Sequence, residues 1–163
     1  MITSTQQSIA NRILQQATKG TTNNPGLPQL LASFLVDQSA HETNGWTSGF
    51  FVNNNNCFGY ACYPGSDWQD GCSDNKADNG VTVGNYDSIE DSVCEIVDWI
   101  YRRVSDGKFP ADLTSITTSD QYAQLLKNSG YYGDTESNYS AGLKRWATNL
   151  ADFFKRHYQN IPR

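Results

Sequence analysis

The sequence predicts an α+β fold that is mostly helical, a helical body carrying one small β-lobe stapled by disulfide. Three observations lead there. Apolar residues recur at helical spacing over four long segments. That periodicity vanishes from Asn53 to Tyr86, where Asn, Gly, Asp and Cys dominate. All four cysteines fall between Cys57 and Cys94, in or just beyond this stretch. A chain of 163 residues suits one core, so a single domain over 1–163 is expected, with the lobe at about 53–87.

The elements follow in order. A first helix spans about Thr5 to Lys19, with Ile9, Ile13 and Leu14 on one side and Gly20 as its stop. The segment TTNNPGLP is a connection broken by Pro25, Gly26 and Pro28. A second helix runs from about Leu30 to Thr43; Leu31, Phe34, Leu35 and Gln38 share a face, and Glu42 extends that stripe. In the lobe, Asp78-Asn79-Gly80 reads as a hairpin turn into a strand at Val81-Thr82-Val83. Ser88 followed by Asp91 marks a helix start, and Val93, Ile96, Val97, Ile100 and Tyr101 carry that helix to about Ser105. A short helix over Ser119–Lys127 leads to the turn Ser129-Gly130-Tyr131. The last helix, Asn138 to His157, carries Leu143, Trp146, Leu150, Phe153 and Phe154.

Composition narrows the partners. Only 18% of residues are charged while 12% are aromatic, and the net charge is −5. Without a stripe of Lys and Arg to neutralise phosphates, nucleic acid is excluded as a partner. A surface rich in amides and hydroxyls suits sugars. No apolar run reaches the roughly 20 residues of a membrane helix, so no membrane insertion is expected. The start, MITSTQQSIANRILQQA, reads as an amphipathic helix and not as a signal peptide.

The cysteine spacing has no C-x-x-C pair and no neighbouring histidine, which disfavours zinc. Two disulfides are expected instead. Of three possible pairings, Cys62–Cys72 closes a short loop and Cys57–Cys94 ties the lobe to the following helix. No metal or other cofactor is expected.

Chemistry concentrates at Glu42, which ends the second helix just before Gly45-Trp46 and an asparagine run. Cleavage of a glycosidic bond needs an acid for the leaving oxygen and usually a second carboxylate. Glu42 can serve as that acid if its pKa rises, and apolar neighbours (Leu35, Trp46) and the helix C-terminus both push it upward. An arbitrary helical Glu is more often a polar residue closing a helix; the Gly-Trp step and the asparagine loop reverse those odds. His41 points about 100° away around the helix. A triad built on Ser39 and His41 lacks the G-x-S-x-G elbow.

Gln38 to Trp46 (QSAHETNGW), then Asn56-Cys57-Phe58-Gly59-Tyr60, resembles the A-L-E-S/T-G-W-G and N-x-F-G motifs of glycoside hydrolase family 73. Downstream, Asn128-Ser129-Gly130-Tyr131, Asp134 and Asn138-Tyr139 resemble the family's N-A-G-Y-A-T-D-x-x-Y segment. The family comprises bacterial peptidoglycan glucosaminidases, and the resemblance covers roughly residues 28 to 155. It implies a lysozyme-like fold, with Glu42 as general acid and Tyr131 lining the catalytic cleft. Trp46, Asn56, Tyr60 and Tyr139 become candidate substrate-binding residues, with packing as the competing role for Tyr139 and, with Phe58, for Trp46. Asn56 has bonding to the backbone as its alternative.

The chain departs from the pattern where the family places its second carboxylate, a glutamate on a hairpin. No Glu occurs between Glu42 and Glu90. Asp67, Asp70, Asp74 and Asp78 are available, and proximity to the hairpin favours Asp74 and Asp78.

The expected activity is hydrolysis of the β-1,4 bond between N-acetylglucosamine and N-acetylmuramic acid in peptidoglycan glycan strands. Cysteines, acidity and the absent leader point to an antibacterial toxin of the type VI secretion kind, injected to act in a target periplasm. A cognate immunity protein plugging the cleft is its expected partner. The alternatives are a phage endolysin or virion muramidase, a lytic transglycosylase, or a non-catalytic glycan-binding module.

Overall fold

The computed structural model describes residues 1–76 and 80–161, with Asn75 described by its backbone alone. Six α-helices occur in it: α1 (Ser4–Lys19), α2 (Gln29–Glu42), α3 (Gly49–Asn54), α4 (Ile89–Ser105), α5 (Ser119–Asn128) and α6 (Glu136–His157). Two short strands, β1 (Cys72–Lys76) and β2 (Thr82–Gly84), form an antiparallel pair between α3 and α4. A 3-10 turn at Leu113–Ser115 lies between α4 and α5. This is an α+β, lysozyme-like arrangement with one small lobe.

Local chemistry explains the helix ends. Thr3 caps α1 in a reciprocal box with Gln6, and Gly20 closes it at φ +86°. The Ser88 hydroxyl accepts from the Asp91 N–H at the start of α4. Thr118 and Gln121 form a second capping box at α5, and Thr135 caps α6.

The stripe predicted for α2 is wider in the structure. All ten residues from Leu31 to Ala40 are buried, polar Ser33, Asp37, Gln38 and Ser39 among them. The helix is surrounded because it packs against both α1 and α6. One hydrophobic cluster runs from Ala10 to Phe154. The buried amide oxygen of Gln38 is satisfied by the Tyr122 hydroxyl, which donates to Oε1 at 2.5 Å.

The lobe departs from the sequence reading in detail. Residues 49–54 form α3, because the Ser48 side chain caps the Phe51 N–H and Asn55 ends the turn left-handed at φ +52°. The strand predicted at 81–83 is β2, one residue later. Its partner β1 was not anticipated, since CSDNK carries no alternating apolar pattern. Pairing runs from Cys72 opposite Gly84 to Lys76 opposite Thr82, with an irregularity between. The predicted turn residues Asp78 and Asn79 lie outside the described residues.

Cysteine pairing is half as expected. Cys62 and Cys72 form a disulfide across the lobe. Cys57 and Cys94 do not pair; both are buried free thiols. Helix geometry is the reason. Cys57 sits against the face of α4 that presents the Ile89 carbonyl and Ser92, whose Oγ accepts the Cys57 N–H at 2.9 Å. Cys94 follows Ser92 by two residues, about 200° around the helix, and points away.

Candidate active site

Glu42 terminates α2 at the edge of a cleft of about 600 Å³ between the helical body and the lobe. Phe58 to Tyr63 form the lobe side of this cleft, with Val81, and Ser129 to Gly133 with Trp99 form the body side. Among the described residues, Glu42 is the only carboxylate lining it.

The chain leaves α2 through three consecutive left-handed residues: Asn44 at φ +50°, Gly45 at +71° and Trp46 at +64°. Gly45 is required twice over, by that conformation and because a Cβ there would come within 2.6 Å of the Trp146 ring. A left-handed Trp is uncommon and needs support. Its N–H donates to Thr43 Oγ1 at 2.8 Å, and its indole N–H donates to Ser39 Oγ at 2.9 Å. The Ser39 hydroxyl in turn donates to the Cys57 carbonyl. The E-T-N-G-W step is therefore a device that ends α2 at Glu42 and ties it to the loop at Cys57.

This geometry moves Trp46 from the substrate-binding role to packing. It is 4% exposed, lies against Trp146 and does not line the cleft. Asn56 is moved likewise. It is fully buried; its amide donates to the carbonyls of Tyr60 and Gly84, and its oxygen accepts from the N–H groups of Phe58 and Tyr60. With those bonds committed to backbone, Asn56 shapes the loop that forms the lobe side of the cleft.

Tyr139 meets the acid directly. Its hydroxyl donates to Glu42 Oε1 at 2.5 Å. The tyrosine stays protonated because burial and the neighbouring carboxylate hold its pKa well above the ordinary value. Its ring is clamped, stacked on Tyr132 at 3.8 Å and 4° on one contact and edge-on to His41 at 5.0 Å on another. Lys127 lies 5.2 Å over the Tyr132 ring and also donates to the carbonyls of Gly133 and Asp134. His41 fits only because Gly142 stands opposite, where a Cβ would reach within 2.3 Å of the imidazole. The sequence carried no sign of the Tyr132 stack or of the Gly142 seat.

Tyr131 lines the cleft as expected, donating to the Phe58 carbonyl at 3.1 Å and packing edge-on to Trp99. Tyr60 also lines the cleft. Asp74 lies exposed on β1 and is not among the lining residues, while Asp78 falls outside the described residues. Asp67 borders a different depression, beside Asn23 and Asp98.

Electrostatics complete the picture. Burial in this aromatic setting raises the Glu42 carboxyl to a pKa of about 7, against the opposing pull of the Tyr139 hydrogen bond. Part of the sequence argument holds, in that desolvation raises the pKa. The cleft around the acid is built from tyrosines, Phe58 and Trp99, with Trp46 turned inward. No cluster of His, Cys, Asp and Glu suited to a metal occurs among the described residues.

A carboxyl group held near neutrality in an aromatic groove of a lysozyme-like fold has the chemistry that acid-assisted cleavage of a glycosidic bond requires. Comparison with known proteins agrees. Residues 28–159 match the family model described as mannosyl-glycoprotein endo-beta-N-acetylglucosaminidase, so the chain belongs to the glucosaminidase family and is a glycoside hydrolase. The fold is shared with a chain of a type VI secretion system effector–immunity complex from Pseudomonas protegens. That likeness has a TM-score of 0.57 and 17% identity, covering 91% of this chain and 90% of the other. The catalytic domain of the autolysin Auto from Listeria monocytogenes is similar at a TM-score of 0.58 and 20% identity, covering 94% of this chain and 89% of that one. No curated protein matches the sequence significantly.

Proposed function

We propose that the whole chain acts as one peptidoglycan hydrolase domain, cleaving the β-1,4 bond between N-acetylglucosamine and N-acetylmuramic acid with Glu42 as general acid. The observation that carries this reading is the carboxyl of Glu42, held near a pKa of 7 at the edge of an aromatic cleft. Glu42 gives its proton to the glycosidic oxygen as the bond from that oxygen to the anomeric carbon breaks. Tyr139 orients the acid through its hydroxyl. Tyr131 and Tyr60 line the groove that receives the sugars.

With Glu42 the only lining carboxylate among the described residues, assistance by the substrate's own acetamido group is the favoured second half. Its carbonyl oxygen closes on the anomeric carbon as the leaving group departs. Water then opens the ring formed, losing its proton to the Glu42 carboxylate. On this route Asp74→Asn and Asp78→Asn each keep most of the activity on purified sacculi, and a loss of more than about a hundredfold in either makes that aspartate the second carboxylate.

The likeness to a chain of a type VI effector–immunity complex, and the lobe disulfide, support a toxin role in the periplasm of a target cell. Digestion of sacculi with mass spectrometry of the products tests the activity. Reducing-end N-acetylglucosamine supports the reading; reducing-end N-acetylmuramic acid or anhydro ends make it a muramidase or a transglycosylase. No release at all removes the assignment as a hydrolase of peptidoglycan.

A further inference from the structure

Two of the four exposed large hydrophobic side chains among the described residues, Tyr63 and Val81, lie on the lobe side of the Glu42 cleft. Tyr63 is 51% exposed although the loop beneath it is hydrogen-bonded at several points. Its own N–H donates to Gln69 Oε1 at 2.8 Å, and its carbonyl accepts the Ser66 N–H at 3.0 Å. Gln69 is anchored by donating to the Ala61 carbonyl and the Tyr86 hydroxyl. Room for that amide exists because residue 84 is glycine; a Cβ there would lie 2.5 Å from it. The preceding residue, Cys62, is held by the disulfide to Cys72 and by its N–H bond to the Thr82 carbonyl. The ring itself lies against Gly65, where a Cβ would approach its hydroxyl oxygen to 3.0 Å.

A large ring left half in water, on a loop that is otherwise pinned, is a rigid apolar platform facing a groove. The described residues lining that groove include no Lys, Arg or His, so the ring offers its face to the uncharged C–H surface of a ligand with no cation beside it. The C–H face of a hexosamine has that character, and stacking on a pre-ordered ring costs little conformational entropy. We infer that the Cys62–Cys72 loop presents Tyr63 as a sugar subsite, distinct from the position of the cleaved bond, that binds the apolar face of an N-acetylhexosamine in longer glycan strands. The inference rests on the peptidoglycan reading above, and the test separates the two.

Binding of peptide-free peptidoglycan glycan strands of increasing length, from disaccharide to hexasaccharide, is measured by calorimetry on Glu42→Gln and on Glu42→Gln/Tyr63→Ala. Affinity of the first protein rises with length; the second loses about tenfold on the longest strand and little on the shortest. Adding Tyr63→Trp in place of the alanine restores the length dependence. Equal affinities of the two proteins at every length overturn the subsite, as does an absence of binding to any strand by Glu42→Gln. Length-dependent binding that Tyr63→Ala weakens, together with wild-type protein that releases nothing from sacculi, upholds the subsite and removes only the hydrolytic assignment.

Discussion

Glu42 and Tyr139 share one hydrogen bond across 97 residues of sequence, and its direction decides how each variant behaves. The tyrosine donates, so it favours the carboxylate while burial favours the acid; burial wins, and the pKa settles at about 7. Because the folded-state value stands above the ordinary 4.5, the neutral form is what the fold prefers. Its stabilising contribution is whole below pH 4.5 and is lost as pH rises through 7, by at most about 3 kcal/mol. Thermal melts should therefore show wild type matching Glu42→Gln near pH 4 and falling below it by pH 8. The same variant should release no muropeptides at any pH. In Tyr139→Phe the bond is gone and one carboxyl oxygen is left unpartnered, at a cost of about 1–3 kcal/mol. The Glu42 pKa should rise further, and the alkaline limb of the pH–rate profile should shift upward while the maximum rate falls.

At the scale of elements, α6 packs against the end of α2 at a glycine. Gly142 in α6 leaves the space that the His41 ring occupies, and that ring steadies Tyr139 from the side. In an ordinary exposed helix, Gly→Ala gains about 1 kcal/mol. Gly142→Ala should instead lose about 1–3 kcal/mol, since the imidazole must leave a packed site. Chemical denaturation measures the stability, and sacculus digestion should show activity falling with it as Tyr139 loses its edge contact. The helical signals that located α1, α4, α5 and α6 were legible because each buries one face and leaves the other wet. Those for β1 and α3 were not: one is a polar run that pairs only because β2 lies beside it, the other a six-residue turn set by its cap.

Across the whole molecule, four cysteines have two fates. The Cys62–Cys72 loop is short, and removing its disulfide in Cys62→Ser/Cys72→Ser should cost about 2–3 kcal/mol, read as a lower melting temperature. Cys57 is buried, and desolvation pushes its thiol up to about 12, as it does for Cys94. Two thiols should thus be counted with a chromogenic disulfide reagent after denaturation and essentially none in the native protein. A further buried centre, Asp98, joins α4 to the α1–α2 connection and to the lobe. It accepts bonds from Thr21, Asn23, Asn24 and Trp68, and its pKa is held below the ordinary value although burial pushes the other way.

What the sequence determined alone was local and compositional: helices with one apolar face, a lobe without periodicity, and an acid at the end of α2. Those follow from neighbours a few residues apart, and the motif that carries Glu42 is itself contiguous. Tertiary structure decided everything that depends on which way a side chain turns after a bend. It put Trp46 and Asn56 into the interior, turned Cys94 away from Cys57, and brought Tyr139 onto Glu42. The physical reason is that rotation about a helix and a left-handed turn are cheap to encode but assign each side chain to core, cleft or water. Only packing against distant segments reveals which.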